Sequence, residues 1–478
     1  MSLPTGQAGL SNPIKKKFAF DKIRLTEKMK KEITIIGAGL VGCLLAVYLL
    51  KRKYNVTIYE RRGDMRKVQL IAGRSINLAL SDRGIKALEE VGLMEEVRKI
   101  AIPMHGRKMH NADGSEAYQA YGKDGQFINS VSRGALNCML MDAAEEQGAK
   151  IIFNHKCEGI DWKRNIINFS DPDAQLSTVD FQLLFGADGS YSAARLTHQL
   201  QHDRFQYNQF YIDYGYKELH IPAGKKGEFL LEKNALHIWP RGKYMMIALP
   251  NTDGSFTCTL FFPFNGEPSF DTLDTKDNVQ QFFENNFADA TKLMPDLAET
   301  FFSNPTASLV TVKCFPWIRE DKFALIGDAS HAIVPFFGQG MNAGFEDCSV
   351  LNSLIEKHED DWHKINAEFQ DLRKPDADAI ADLALANFIE MRDKVTDPRF
   401  LLQKKIEASF NTKHPDKWIP AYSMVTFSPE IRYSEALKRG NMQQTIMDEI
   451  MAVDNIEENW QGEEIEKMIL EKLKEKNV

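Results

Sequence analysis

Glycines at 37, 39 and 42, with Glu60 behind them, are residues whose types and spacing could do chemistry, and the chemistry is the grip on a dinucleotide. In KEITIIGAGLVGCLLAVYLLKRKYNVTIYERR the apolar residues Ile33, Ile35 and Ile36 stop abruptly at the first glycine, as a strand buried on both faces does before a turn. Gly37 makes the turn tight, Gly39 lets backbone N–H groups approach a pyrophosphate, and Gly42 lets the next helix lie close on the strand. That helix, expected over Leu40 to Lys51, points its positive end at the phosphate, so Leu40 and Val41 join the contact set. Glu60 ends a second strand, Val56 to Tyr59, where a carboxylate accepts hydrogen bonds from ribose hydroxyls, and Arg62 lies beside it. An acid here disfavours a 2′-phosphate, which leaves FAD or NAD rather than NADP as the bound dinucleotide.

Composition narrows the class further. The 478 residues suffice for a large core and two intimately joined domains, and 43% hydrophobic with 26% charged residues is the make-up of an ordinary soluble globular protein. A net charge of −8 argues against nucleic acid as a partner. The six cysteines show no C-x-x-C pair and read as reduced thiols of a cytoplasmic protein, while the eleven histidines form no H-E-x-x-H, so no metal is expected. No apolar run approaches the roughly 18 residues of a membrane span.

The elements that must position these residues follow along the chain. Residues 1–30 read as a disordered lead-in, and Met29, just ahead of the first strand, reads as the natural start. INLALSDRGIKALEEVGLMEEVRKI gives a short strand from Ser75 and then helical spacing through Ile85, Leu88, Val91 and Val97. An Asp113-Gly114 turn separates two strands that carry Arg107 and Tyr121, and a strand at Ile128 to Val131 delivers Arg133 to the head of a helix. Strands at Ile151–Asn154, Asn165–Phe169 and Phe181–Phe185 bring the chain back to the first domain. Between about 205 and 270, segments such as YGYKELHI and SFTCTLFFP predict an antiparallel sheet with one apolar face. From about 345 the pattern is helical, and the tail EEIEKMILEKLKEKN predicts a surface helix packed on its own protein. The domains expected are thus 31–204 and 316–375 for the dinucleotide, 205–315 for the inserted sheet and 376–478 for helices covering the site.

Two further motifs identify the kind of dinucleotide protein. In LLFGADGSYSAAR, Asp188 follows a buried strand and is placed to cap the next helix, yet the segment also matches the D-G-x-x-S-x-x-R sequence of flavin-dependent aromatic hydroxylases. FALIGDASHAIVPFFGQGMNAGFEDC resembles the G-D-A-A-H…P…G-Q-G-x-N block of the same family, with Ser330 where alanine is usual. The resemblance implies FAD as the bound cofactor and NADPH as a passing one, with Arg133 and Asp188 among the FAD contacts and Asp328 on its ribityl chain. It also implies that Pro335 to Gly340, with Gly338, Gly340, Met341 and Asn342, lie beside the isoalloxazine ring. The helix starting near Met341 would then aim its N–H groups at the edge where reduction deposits negative charge. The implied fold is α/β, a Rossmann-type FAD-binding domain with an inserted antiparallel-sheet substrate domain and a helical C-terminal region.

Several blocks are not general flavoprotein motifs. GRSINLALSDRG, PMHGRKMH, ALHIWPRG, VPFFGQGMN and WIPAYSMVTFS are similar to the kynurenine 3-monooxygenase family, over about residues 31 to 440. This implies that Arg107 and Tyr121 hold a substrate carboxylate and that Asn387 and Tyr422 complete the clamp. An amino acid bearing an aromatic amine does need a fixed cation at one end and an apolar slot at the other. Asn387, Glu390 and Met391 share a helix face, which makes Glu390 a candidate for the ammonium group. Leu236, Met245, Leu249, Phe261, Pro335 and Phe336 would line the slot.

The implied reaction is hydroxylation of L-kynurenine to 3-hydroxykynurenine with NADPH and O2 through a flavin C4a-hydroperoxide, a step of tryptophan catabolism and NAD biosynthesis. The flavin carries that chemistry, so no catalytic side chain is named. A hydroxylase of another aromatic acid, or a reductase or epoxidase of the same fold, remains open at this point. Eukaryotic members of the family carry a C-terminal membrane anchor; its lack here points to the soluble bacterial type, with a homodimer allowed. Deleting residues 1–28 is expected to leave flavin uptake and turnover intact, read by absorbance near about 450 nm and by NADPH oxidation; loss of either would place function in that segment.

Overall fold

The computed structural model describes residues 31–67, 77–122, 125–391 and 397–476. The expected lead-in at 1–30, the start at Met29 and the first residues of the Ser75 strand lie outside them. A six-stranded sheet holds the dinucleotide motif, with strand Glu32–Ile36 in its middle between Leu183–Gly186 and Asn55–Tyr59. Both neighbours run parallel to it, Ile35 facing Phe185 on one side and Ile58 on the other. A parallel strand covered by helices on both faces needs apolar residues at nearly every position, which is why Ile33, Ile35 and Ile36 are all buried. The helix Leu40–Lys51 is the crossover, buried without a break from Gly42 to Leu49.

A second sheet has seven strands, in the order Ala307–Phe315, Gln206–Ile221, Phe256–Pro263, Met245–Pro250, Ala235–Pro240, Gly106–His110 and Glu116–Ala120. Three expectations change here. The strands near 103–122, assigned to the FAD-binding region, are hydrogen-bonded into this sheet, Arg107 opposite Leu236 in the parallel pairing. Tyr121 sits one residue beyond its strand rather than on it. Both faces of the sheet are also apolar, not one. Trp239, Leu260 and Phe262 pack against Phe283 and Phe287 behind it, while Met245 and Phe261 pack with Phe336 and Phe388 in front. The periodicity is masked because residues of both parities are buried, as in the run Phe256–Phe262.

Smaller differences lie in the return segment. The strand expected at Phe181 begins at Leu183, and two unanticipated strands, Lys156–Asp161 and Leu176–Asp180, flank Ile166–Ser170 in a sheet of three. The C-terminal region is helical as expected, its tail helix Glu463–Glu475 burying Ile465, Ile469 and Leu473 against Ile446 and Ile450. The expected boundary between 375 and 376 falls inside one continuous helix, Trp362–Ile389, which spans from the dinucleotide region to the substrate region.

Gly42 yields a prediction with an unusual sign. In an ordinary helix, glycine to alanine gains about 1 kcal/mol. Here a Cβ would stand 2.1 Å from the Gly37 carbonyl oxygen. Gly42→Ala is therefore expected to lower the denaturant midpoint; a stabilised variant would contradict the close packing.

Candidate active site

The glycine turn is built from both sides. Gly37 has φ +107°, donates its N–H to the Tyr59 carbonyl at 2.8 Å, and has room for no side chain because Ala187 O lies 2.5 Å from where a Cβ would be. Gly39 is different: a Cβ there would meet nothing within 4 Å. Protein packing explains the first glycine, whereas Gly39 leaves the head of helix Leu40–Lys51 open onto the cavity. Glu60 is 4% exposed and accepts from Ala38 N at 3.0 Å and from Arg62 N and Nε at 3.0 and 2.8 Å. Burial alone would raise its carboxyl, but the bonds from Arg62 and Ala38 hold it below its ordinary value, so it stays an anionic acceptor.

The other two motifs meet this turn. Asp188 accepts from the Ser192 hydroxyl and from Ala193 N at 2.7 Å, capping helix Ala193–Leu200, while Ala187 and Gly189 border the cavity. Arg195 then donates to Ala329 O at 2.7 Å, tying this segment to the next. Asp328 borders the cavity with an exposed carboxylate that no hydrogen bond or ion pair occupies among the described residues. Arg133 is likewise at the wall, exposed and unpaired, at the first position of helix Arg133–Glu146. Helix Gly340–Lys357 opens onto the same space with Gly340 and Met341. Asn342 is fully buried instead, gripping Ala79 O and Gly338 O at 2.8 Å each and accepting from Ser81 N at 3.0 Å. It holds the loop that the cavity touches.

These donors suit FAD. An open notch at the head of one helix, a second helix N-terminus of eighteen residues and a free acid between them match a pyrophosphate, a ring edge that gains negative charge, and a chain of hydroxyls.

The same cavity, about 320 Å³ in all, continues beyond the loop. Leu236, Met245, Leu249, Phe261, Pro335 and Phe336 form its wall, as expected. Ile247, Ile238 and Phe337 also line it and escaped the sequence reading; the first two continue the alternation of Met245 and Leu236 by two residues, a signal that was there to use. At the far end stands Arg107, its guanidinium carbon 4.4 Å from the Tyr422 ring centre and 5.2 Å from that of Tyr121. No carboxylate pairs with it among the described residues. The buried Tyr121 hydroxyl lies beside the Arg107 guanidinium, and burial still pushes its phenol above the ordinary range, so it keeps its proton to donate. Tyr121 and Tyr422 are stacked, 9° apart in plane. Met391 reaches the wall, but Asn387 and Glu390 do not. Asn387 donates to Phe336 O at 2.7 Å, acting on the loop.

A buried ionic network beneath the loop was missed altogether. Asp347, wholly buried, accepts from Gly327 N at 3.0 Å, from His331 Nε2 at 2.6 Å and from Arg373 Nε at 2.7 Å. Arg373 and Arg83 share Glu346, and Arg83 reaches on to Val425 O in the C-terminal region. Burial would raise the Asp347 carboxyl, but His331 and Arg373 carry it below its ordinary value; burial would lower His331, but Asp347 carries it above.

Fold and site together define a flavin-dependent monooxygenase of the aromatic-hydroxylase class. A family profile described as FAD binding domain matches residues 30–364. The chain is 52% identical over 444 residues to a kynurenine 3-monooxygenase of Flavobacterium johnsoniae, covering 92% of this chain and 98% of that one. It is 51% identical over 448 residues to that of Flavobacterium psychrophilum, covering 93% and 99%. A structure of 2-methyl-3-hydroxypyridine-5-carboxylic acid oxygenase shares the fold, with TM-score 0.63 at 18% identity over 84% of this chain and 98% of that one. The chain belongs to the kynurenine 3-monooxygenase family.

Asp347→Asn removes one charge of a buried set and is expected to cost about 3–5 kcal/mol in a denaturant melt. The sign with pH follows from the shifts. Stability from Asp347 is present above about pH 4 and is lost as pH falls through its lowered value; that from His331 is complete below about pH 6.5 and lost as pH rises through its raised value. The difference between parent and variant should therefore shrink on both sides; a difference that grows with acid would contradict the network.

Proposed function

We propose that this protein hydroxylates L-kynurenine to 3-hydroxykynurenine, using FAD, NADPH and O2. The observation that carries the reading is Arg107: a guanidinium at the end of an apolar cavity, flanked by two tyrosines and matched by no carboxylate among the described residues. An unpaired cation in such a place is costly, and a ligand carboxylate relieves it with a charge-assisted, two-pronged contact. The Tyr121 hydroxyl supplies a further donor, and the Tyr422 face covers the cation.

When bound, FAD reduced by NADPH activates dioxygen, so that one oxygen atom enters the ring carbon beside the aniline nitrogen and the other leaves as water. Gly37 to Gly42, Glu60, Arg62, Arg133, Asp188 and Asp328 hold that cofactor or its turns. The chain's remaining work is to place and dry the substrate. Leu236, Met245, Leu249 and Phe261 confine the aromatic ring, and Pro335 and Phe336 press it from the loop side. Asn387 fixes that loop through the Phe336 carbonyl. Met391 closes the wall. Glu60 rejects a 2′-phosphate, so NADPH visits rather than occupies the resident site. Cytoplasmic placement fits the six thiols, all free, five of them buried. Among the described residues no helix is long and apolar enough to cross a membrane.

Titration with L-kynurenine should drive NADPH oxidation and yield a product heavier by one oxygen atom, while hydroxybenzoates should not. Arg107→Ala should keep its yellow colour and weaken kynurenine binding by at least ~30-fold, the equivalent of ~2 kcal/mol. A variant that loses FAD instead would sink the carboxylate assignment.

A further inference from the structure

The back of the substrate sheet carries a polar cluster that the reaction does not use, two buried histidines with a half-exposed aspartate at their rim. Strand Gly106–His110 sends Arg107 to the cavity and, by the alternation of a strand, His110 to the opposite face. There His110 is stacked on Trp239, ring centres 4.2 Å apart, beside a fully buried His237. Three short contacts run in series. His237 Nε2 lies 2.9 Å from the Glu232 carbonyl oxygen, His110 Nε2 lies 2.9 Å from His237 Nδ1, and His110 Nδ1 lies 3.0 Å from Oδ2 of Asp289. The last is off the line of a full hydrogen bond but within ion-pair reach. Trp239 Nε1 donates to the same carboxylate oxygen at 2.8 Å.

The ends of this series, a carbonyl and a carboxylate, only accept. Each outer contact therefore needs an N–H, and the middle one needs an N–H facing a lone pair. The two rings must hold three protons on their four nitrogens, whereas two neutral imidazoles hold two. Burial pushes His237 down to about 4, which makes it the neutral member. Burial would raise Asp289, yet the contact with His110 and the bond from Trp239 hold it well below the carboxylate range.

We propose that His110 and His237 share three protons as a buried cationic pair locked to Asp289, and that this pair positions the strand from which Arg107 enters the substrate cavity. The second half rests on Arg107 being the carboxylate clamp. The strand needs such an anchor because its outer neighbour, Glu116–Ala120, is exposed along its whole length. Other charges facing the pair are Glu116, 3.6 Å from His110 Nδ1, Lys108, which pairs with Glu116 at 2.8 Å, and Arg241, whose Nη1 donates to the His110 carbonyl at 2.8 Å. Loss of the third proton sets two acceptors against each other at one contact. The strand's hold weakens as pH rises.

The first test is a nitrogen-15 histidine spectrum of the FAD-bound protein, with His110→Gln and His237→Gln assigning the rings. One ring is expected to carry protons on both nitrogens and the other on one only; two singly protonated rings overturn the cationic pair. Asp289→Asn is expected to raise KM for kynurenine about tenfold with kcat within about twofold, and to flatten the rise of KM with pH. An unchanged KM and an unchanged pH profile overturn the positioning role. The proton count needs no kynurenine, so it stands or falls separately from the substrate assignment.

Discussion

Asp347 has no contact with the cavity, yet the arrangement of the cavity depends on what its two oxygens accept. One takes the Gly327 N–H and the His331 ring, and so fixes the left-handed turn, φ +61° at Gly327, that presents Asp328. The other takes Arg373 from the long helix Trp362–Ile389. Removing a charged group from water costs several kcal/mol, and only complete pairing offsets it. Asp347 is stable in the interior only while the dinucleotide region, the flavin-side loop and the C-terminal helices hold their places together. Arg83 extends the constraint, since its guanidinium joins Glu346 to the carbonyl of Val425 and stacks on Tyr433 at 3.9 Å. Tyr422, which covers Arg107, sits only three residues before Val425. The loop on the flavin side and the cover on the substrate side are thus fixed by one set of charges.

The cavity uses the opposite device. Beneath the loop every buried charge is matched, whereas at Arg107 the match is withheld and two aromatic rings stand in its place. A cation over an aromatic face recovers about 0.5–2 kcal/mol, less than the burial of a guanidinium costs. The deficit is a standing preference for an anion of the right reach. Apolar walls sharpen it, because in a dry slot the same Coulomb attraction is stronger than in water.

Most of the dinucleotide half was legible in the residues. Parallel strands covered on both faces show as short apolar runs, and the glycine turn and its acid lie within thirty residues of each other, so the helix Leu40–Lys51 was readable in place and approximate length. The apolar wall was legible for the same reason of alternation, with Ile247 and Ile238 following from their neighbours two positions away. The pairing of strand Gly106–His110 with Ala235–Pro240 was not, since nothing local tells a strand which distant partner it will join. Asp347, Arg373 and His110 were silent for a related reason. A charged residue in a helix or strand reads as a solvated face unless its partners are known, and these partners come from segments far apart in the chain. Asn387 belongs with them: its helix face was right, but its amide is turned to the Phe336 carbonyl, a backbone group no sequence pattern marks.

The crossing of strand Gly106–His110 into the other sheet explains why the two regions work as one. Had it stayed with the parallel sheet, Arg107 would move with the flavin site, and the apolar wall would be free to shift against it. Paired to Ala235–Pro240, Arg107 instead stands opposite Leu236 and keeps its distance to the sheet side of the slot. The chain on either side still belongs to the dinucleotide region, for the short sheet of Asn77–Leu80, Ile128–Ser132 and Ala101–Met104 brackets the excursion, and Arg133 at its end faces the cofactor space. The distance between Arg107 and the apolar residues Leu236, Met245, Leu249 and Phe261 is therefore set inside one sheet. The distance from that sheet to the cofactor is set by the two ends of a single excursion of the chain, which is how a side chain on one sheet can be held in register with a turn on the other.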